Sequence, residues 1–258
     1  MEILRSILNS ALWAALLSAT LVPVCAQWLH YPTPGIPRTR DGKPSLSAPA
    51  PTTPDGKPDL SGIWSAADNK YLQNLAADGV EVPLQPWAAA LFKQRSENLG
   101  KGRPSEHCLT HGVTDFDAVG AGWKLIQTPS VIVILYEAYN HYRQILMDGR
   151  PLPEPTQPAY MGYSIGRWEG DTLVVESSGF NDKGWLDDGG HPQTEALHVT
   201  ERFRRRDFGH MDLQLTINDP KAYTKPWSVA FPLEYHPDEE LIESICENEK
   251  DVPHMVGK

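Results

Sequence analysis

In the stretch Leu197-His198-Val199-Thr200-Glu201-Arg202-Phe203, every second residue is apolar except one. Side chains alternate sides along a strand, so Leu197, Val199 and Phe203 share a face and Glu201 falls among them. A carboxylate turned into an apolar interior costs several kcal/mol unless it is paired or holds a proton. Desolvation raises its pKa, which suits a general acid or base working near neutrality. The alternative is a structural ion pair, with Arg143 or Arg167 as partner. Just upstream, His191-Pro192-Gln193-Thr194-Glu195-Ala196-Leu197-His198 gathers two imidazoles and a carboxylate, shortly after Asp187-Asp188. These are ligand types for a divalent metal. Pro192, however, argues against a helix that would align them, so no metal is assigned. The segment reads as a loop leading into the Glu201 strand, with His198, His191 and Asp187 as candidate partners of Glu201 in proton transfer.

A second cluster, His107-Cys108-Leu109-Thr110-His111 followed by Asp115 and Asp117, lies in a Gly-rich region and offers metal-ligand types too. Cys108 has another use, as a disulfide partner of Cys246, which would make this loop an anchored flap. Gly162-Tyr163-Ser164-Ile165-Gly166 fits Gly-x-Ser-x-Gly, but no strand–helix alternation surrounds it, so it is read as a chance match. There is no phosphate loop or dinucleotide fingerprint, and no cofactor is expected. The aromatic residues exceed what a core of this size needs. Trp168, Trp185, Tyr163 and Trp227 are candidates to line a pocket for an aromatic molecule or a sugar.

The elements that must position these groups are mostly strands. Ser130–Glu137 and Tyr142–Met147 form one hairpin, and Tyr163–Trp168 with Thr172–Ser177 a second. Leu197–Arg204 with His210–Ile217 make a third, and Trp227–Tyr235 with Leu241–Cys246 a fourth. Met211, Leu213, Leu215 and Ile217 share one face, as do Trp227, Val229, Phe231, Leu233 and Tyr235. Eight strands with one apolar face predict an all-β antiparallel meander closing into a barrel, because closure removes exposed edges. One helix is expected near Pro86–Asn98, with Trp87, Leu91 and Phe92 as its apolar stripe. Residues 99–122 are expected to be irregular.

The chain of 258 residues carries a formal charge of −10, and removal of residues 1–26 leaves that balance unchanged. An acidic surface repels phosphate backbones, which argues against nucleic acid as a partner. Arg5, the apolar run Ile7–Val22 and Val24-Cys25-Ala26 read as a signal peptide cleaved after Ala26, placing the protein in the periplasm or outside the cell. No other segment has the length of a transmembrane helix. Residues 27–60 are rich in proline and repeat Asp-Gly-Lys-Pro at Asp41–Pro44 and Asp55–Pro58. They predict an extended lead that tethers or wraps a single domain over 61–258, with Trp28 and Tyr31 available for docking.

Gly62-Ile63-Trp64 at the start of the meander resembles the Gly-x-Trp signature of the calycins (lipocalins and their relatives), in which the Trp plugs one end of a barrel. The stretches Asp148–Pro153, Gly166–Val175, Gly179–Asp182, Trp185–Asp187, Val199–Phe203 and Tyr223–Trp227 resemble a widespread family of uncharacterised exported proteins of environmental bacteria. That resemblance implies export and one domain, and carries no catalytic residues with it. Taken together, the sequence points to an exported, lipocalin-like barrel binding a small apolar or aromatic ligand. The alternatives are an acid–base enzyme (hydrolase, lyase or isomerase) working in the barrel mouth, and a surface interaction module.

Overall fold

The computed structural model describes residues 32–154, 157–244 and 246. The expected signal peptide, Trp28 and Tyr31 lie outside the described residues. Nine strands form one closed barrel in sequence order: β1 (Gly62–Ala66), β2 (Trp123–Gln127), β3 (Val131–Tyr136), β4 (His141–Leu146), β5 (Tyr163–Glu169), β6 (Thr172–Ser178), β7 (His198–Arg205), β8 (His210–Asn218) and β9 (Trp227–Tyr235). Closure comes from β1 pairing antiparallel to β9, with Trp64 opposite Tyr235 and Ala66 opposite Leu233. The mainly-β closed barrel expected from the alternation is therefore the architecture.

Three details differ from the sequence reading. The barrel has nine strands rather than eight, because the short segments Gly62–Ala66 and Trp123–Gln127 both join the ladder. Leu241–Cys246 is not a strand: residues 241–244 run without ladder pairing. The β4–β5 seam is parallel, joined only at Ile145–Ser164 and Leu146–Ile165, since the connection after β4 crosses the full height of the barrel before β5 begins.

Three helices accompany the barrel: α1 (Lys70–Gln73), α2 (Pro86–Glu97) and α3 (Val113–Ala118). Helix α2 matches the expected position, but Trp87 is 46% exposed. The buried stripe runs instead through Ala88, with the Phe92 ring stacked at 4.0 Å on His191. Helix α3 lies where irregular chain was expected, and all six of its residues are buried. Gly112 precedes it at φ +148°, a backbone state only glycine adopts easily, so the chain can turn sharply into a helix at this point.

The strands put alternate residues inside, as the pattern demanded. Met211, Leu213, Leu215 and Ile217 are fully buried, and Val229, Phe231 and Leu233 nearly so. Trp64, Trp123, Tyr136 and Phe203 add the largest inward side chains, so the interior is filled by the chain's own residues. The turns at 128–130, 170–171 and 206–209 close one end. The long connections 67–122, 179–197 and 219–226 all emerge at the other, which is the mouth.

The lead wraps the closed end. Each Asp-Gly-Lys-Pro repeat builds the same turn: Thr39 N–H donates to Lys43 O at 2.9 Å, and Thr53 N–H to Lys57 O at 2.8 Å. Between the two turns, Leu46 O and Ala48 O accept from Gly209 and Phe208, and just after the second turn Asp59 O accepts from Arg205. Arg205 lies over the Trp64 ring at 4.8 Å, sealing this end. After β9 the chain climbs back along the barrel, held by Lys124–Glu240 at 2.6 Å and Asn140–Ser244 at 2.9 Å. It reaches the mouth in the expected disulfide, Cys108–Cys246, with Cα atoms 5.6 Å apart.

The closing seam is tightest at Gly62, where an added Cβ would meet the Tyr235 ring at 2.2 Å. Gly62→Ala is expected to lower stability by about 1–3 kcal/mol, through overpacking and a positive φ. Urea unfolding checks this; an unchanged midpoint would show that the seam can relax.

Candidate functional site

Glu201 is fully buried inside the barrel. Its two oxygens accept from both terminal nitrogens of Arg143, one contact measuring 2.7 Å. Arg143 is 3% exposed and also donates to Ser164 at 3.0 Å and Ser177 at 2.8 Å, so β4, β5, β6 and β7 each contribute one member of the cluster. Ser164, the middle residue of the Gly-x-Ser-x-Gly match, is thus a strand residue bound to an arginine rather than an exposed nucleophile.

Asp117 reaches this cluster from α3. Burial, reinforced by the negative charge of Glu201, pushes its carboxyl well above the usual range. The Arg143 charge is already engaged by Glu201, so it offsets little of this rise. Burial likewise raises the Tyr136 phenol, whose hydroxyl lies 3.5 Å from Asp117.

The residues proposed as partners of Glu201 are placed elsewhere. His198 is exposed, because an odd number of steps along the strand separates it from Glu201 and sets the two on opposite faces. Asp187 and His191 form a buried pair of their own, Oδ2 to Nδ1 at 2.6 Å. Asp187 also accepts from the backbone of Leu75, Gly190 and His191, so its lone pairs are committed to holding the loop.

The four aromatics separate as well. Trp185 is buried beneath Arg95, whose guanidinium is 4.0 Å away and pulled down to about 10 by burial. Trp227 packs on His191 and Tyr223. Tyr163 edges an open depression beside the β4–β5 seam, and Trp168 faces another at the closed end, beside Thr53–Asp55 of the lead.

What the mouth does bring together is His111, Asp115 and Asp188. They line a pocket of about 220 Å³ between α3, the 3₁₀ turn Pro104–His107, the β3–β4 turn and the loop after β6. His111 is 2% exposed and Asp115 7%. The Ser105 N–H donates to His111 Nε2 at 3.1 Å, which occupies that lone pair and leaves the ring proton on Nδ1.

His111 Nδ1 lies 3.1 Å from Asp115 Oδ1 and 3.5 Å from Asp188 Oδ1, but its N–H is aligned with neither. Both His111 Nδ1 and Asp115 Oδ1 lack a hydrogen-bond partner among the described residues. Burial raises the carboxyls of Asp115 and Asp188, and the neighbouring His111 pulls each the other way. Arg103 Nε stands 3.9 Å from Asp188.

One atom from each of the three residues falls within 4.8 Å of the others, a ligand set of suitable type for a divalent cation. The Ser105 contact argues against it, because a metal on Nδ1 would need the proton that sits there to leave a ring whose other nitrogen is already accepting. The arrangement fits an organic molecule that both gives and takes hydrogen bonds.

His111 and Asp115 were visible in sequence as metal-ligand types. Arg103, Ser105 and the role of Asp188 were not, since they meet only through the fold.

No protein-family model matches the chain, and no curated protein matches it by sequence. Among solved structures, the crystal structure of a mutant of the fluorescent protein UnaG is similar to it, at 13% identity and a TM-score of 0.33 over 70% of this chain and 97% of that one. A superposition this loose adds nothing to the architecture read from the chain's own strand pairing.

The raised Asp117 carboxyl makes a pH prediction. Above about pH 4 an unfolded aspartate releases its proton while the folded one keeps it, so folded stability falls as pH rises toward the folded pKa. Asp117→Asn removes that fall. Its stability should overtake the parent's between about pH 4 and 7, with a difference growing by up to about 1.4 kcal/mol per pH unit. Parallel urea-midpoint profiles for the two proteins would contradict the assignment.

Proposed function

We propose that this protein binds a small organic molecule in the mouth pocket formed by His111, Asp115 and Asp188, after export to an oxidising compartment. The observation that carries the reading is the pair of buried polar atoms, His111 Nδ1 and Asp115 Oδ1, which belong to residues lining the pocket and have no partners among the described residues. Leaving such atoms unpaired costs about 1–3 kcal/mol each, and a bound molecule with the complementary groups removes that cost.

The interior of the barrel, where an apolar ligand was expected, is occupied by side chains and by the Arg143–Glu201 cluster. The mouth is the better place, and its lining is mixed rather than apolar. The disulfide supports export, being at home outside reducing compartments, and among the described residues no helix is long and apolar enough to cross a membrane. Membership of the widespread exported family named above belongs to the same proposal, as does the absence of nucleic acid among its partners.

A second reading, acid–base chemistry on the bound molecule, is favoured by two carboxyls raised by burial beside one imidazole. It moves the reactive groups from Glu201, His198, His191 and Asp187 to Asp115, Asp188 and His111. Glu201 is closed off against Arg143 and Asp187 is fully committed to its loop. Turnover lost on replacing Asp115 while binding persists would separate this reading from simple binding.

The disulfide anchors the loop that carries Ser105 and His111 to the segment carrying Ser244, and all three line the pocket. A fragment library screened by amide chemical shifts should give hits clustered at residues 103–121, 137–139 and 188. The Cys108→Ser/Cys246→Ser protein, at a temperature where it stays folded, should bind those hits at least tenfold more weakly. Hits gathering instead beside Tyr163 or Trp168, with the mouth silent, would reject the pocket as the site.

A further inference from the structure

The charges around the mouth pocket do not balance. Asp115, Asp188 and Glu137 contribute three carboxyl groups, against the single guanidinium of Arg103. Arg103 is already shared between Ser105 at 3.0 Å and the edge of Asp188. Among the described residues, the one hydrogen bond to Glu137 comes from a backbone N–H, that of Ile242, at 3.3 Å, and no cation pairs with it.

The unpartnered atoms add direction to this excess. Asp115 Oδ1 and His111 Nδ1 lie 3.1 Å apart, each without a hydrogen-bond partner among the described residues; both residues are more than nine-tenths buried and both line the pocket. Leu72, Phe116 and Val119 add apolar surface to the lining. About 220 Å³ corresponds to the volume of roughly seven waters, enough for a compact molecule but not for a lipid or a peptide.

Resting on the proposed binding role of this pocket, we propose that its ligand class is a small amphipathic amine bearing a neighbouring hydroxyl or carbonyl oxygen. The ammonium lies between Asp115 and Asp188, where its N–H groups meet the open acceptor and its charge offsets the carboxylates. The adjacent oxygen accepts from His111 Nδ1–H. The carbon body lies against Phe116, Leu72 and Val119. A neutral analogue of the same shape keeps the apolar contact and the His111 hydrogen bond but loses the ionic part. An anion meets net repulsion.

A near-isosteric series tests this on the full disulfide-bonded chain: 2-amino-1-phenylethanol, 1-phenylethane-1,2-diol and mandelate, titrated by calorimetry with amide shifts recorded in parallel. The amine should bind at least tenfold more tightly than the diol, and mandelate should show no saturable binding. Asp188→Asn, at a 15% exposed side chain, should erase the advantage of the amine over the diol. Asp115→Asn serves as the second variant, and thermal melts establish that both remain folded.

Equal affinity for amine and diol, a preference for mandelate, or an amine advantage that survives both substitutions overturns the amine inference. In each of those cases the pocket itself stands, provided shifts still localise to residues 103–121 and 188. Shifts confined to other faces of the barrel, or no binding by any of the three, overturn the amine inference as well. Binding on another face also counts against the pocket.

Discussion

Closing the ladder between β9 and β1 is the constraint on which the rest of this protein depends. A nine-strand sheet with its edges joined has no free hydrogen-bonding row, but its interior admits one set of inward side chains and little else. Here that set includes Trp64, Trp123, Tyr136 and Phe203, all at or near zero exposure. The space that a wider barrel would leave for a ligand is used by the core. Ligand chemistry is thereby displaced to the end where the chain has length to spare, where the connections 67–122, 179–197 and 219–226 emerge.

The same closure explains how a charged cluster survives inside. Arg143 and Glu201 are removed from water, a step whose desolvation cost is recovered only when the partners and their remaining hydrogen-bonding sites are satisfied. Ser164 and Ser177 supply those contacts from neighbouring strands, and they bond each other at 2.9 Å. The cluster crosses the parallel β4–β5 seam, where only two residue pairs are joined. It bridges the barrel at its weakest ladder, so fixing the relative position of β4 and β5 is a structural role consistent with its complete engagement.

The two chain ends act as straps on opposite faces of this problem. The lead folds its two Asp-Gly-Lys-Pro turns against the closed end, where Arg205 covers Trp64. The C-terminal segment returns to the mouth and binds the loop of His111 through the disulfide. One strap seals the core and the other holds the pocket.

Much of this was determined by sequence alone. Period-two alternation in Met211–Ile217 and Trp227–Leu233 is a direct imprint of the pleat, so the strands, the inward face and the burial of Glu201 were readable residue by residue. Cys108 and Cys246 required only the expectation of an oxidising compartment to suggest their bond. The partner of Glu201, the parallel seam and the meeting of Ser105, His111 and Asp188 were decided by tertiary structure. His198 and Glu201 look adjacent in sequence, yet an odd spacing on a strand sends them to opposite sides. His111 and Asp188 are far apart in the chain, yet closure of the barrel delivers both loops to the same rim. Local patterns encode which side of the sheet a residue occupies. Only the closed ladder decides which of the buried groups become neighbours.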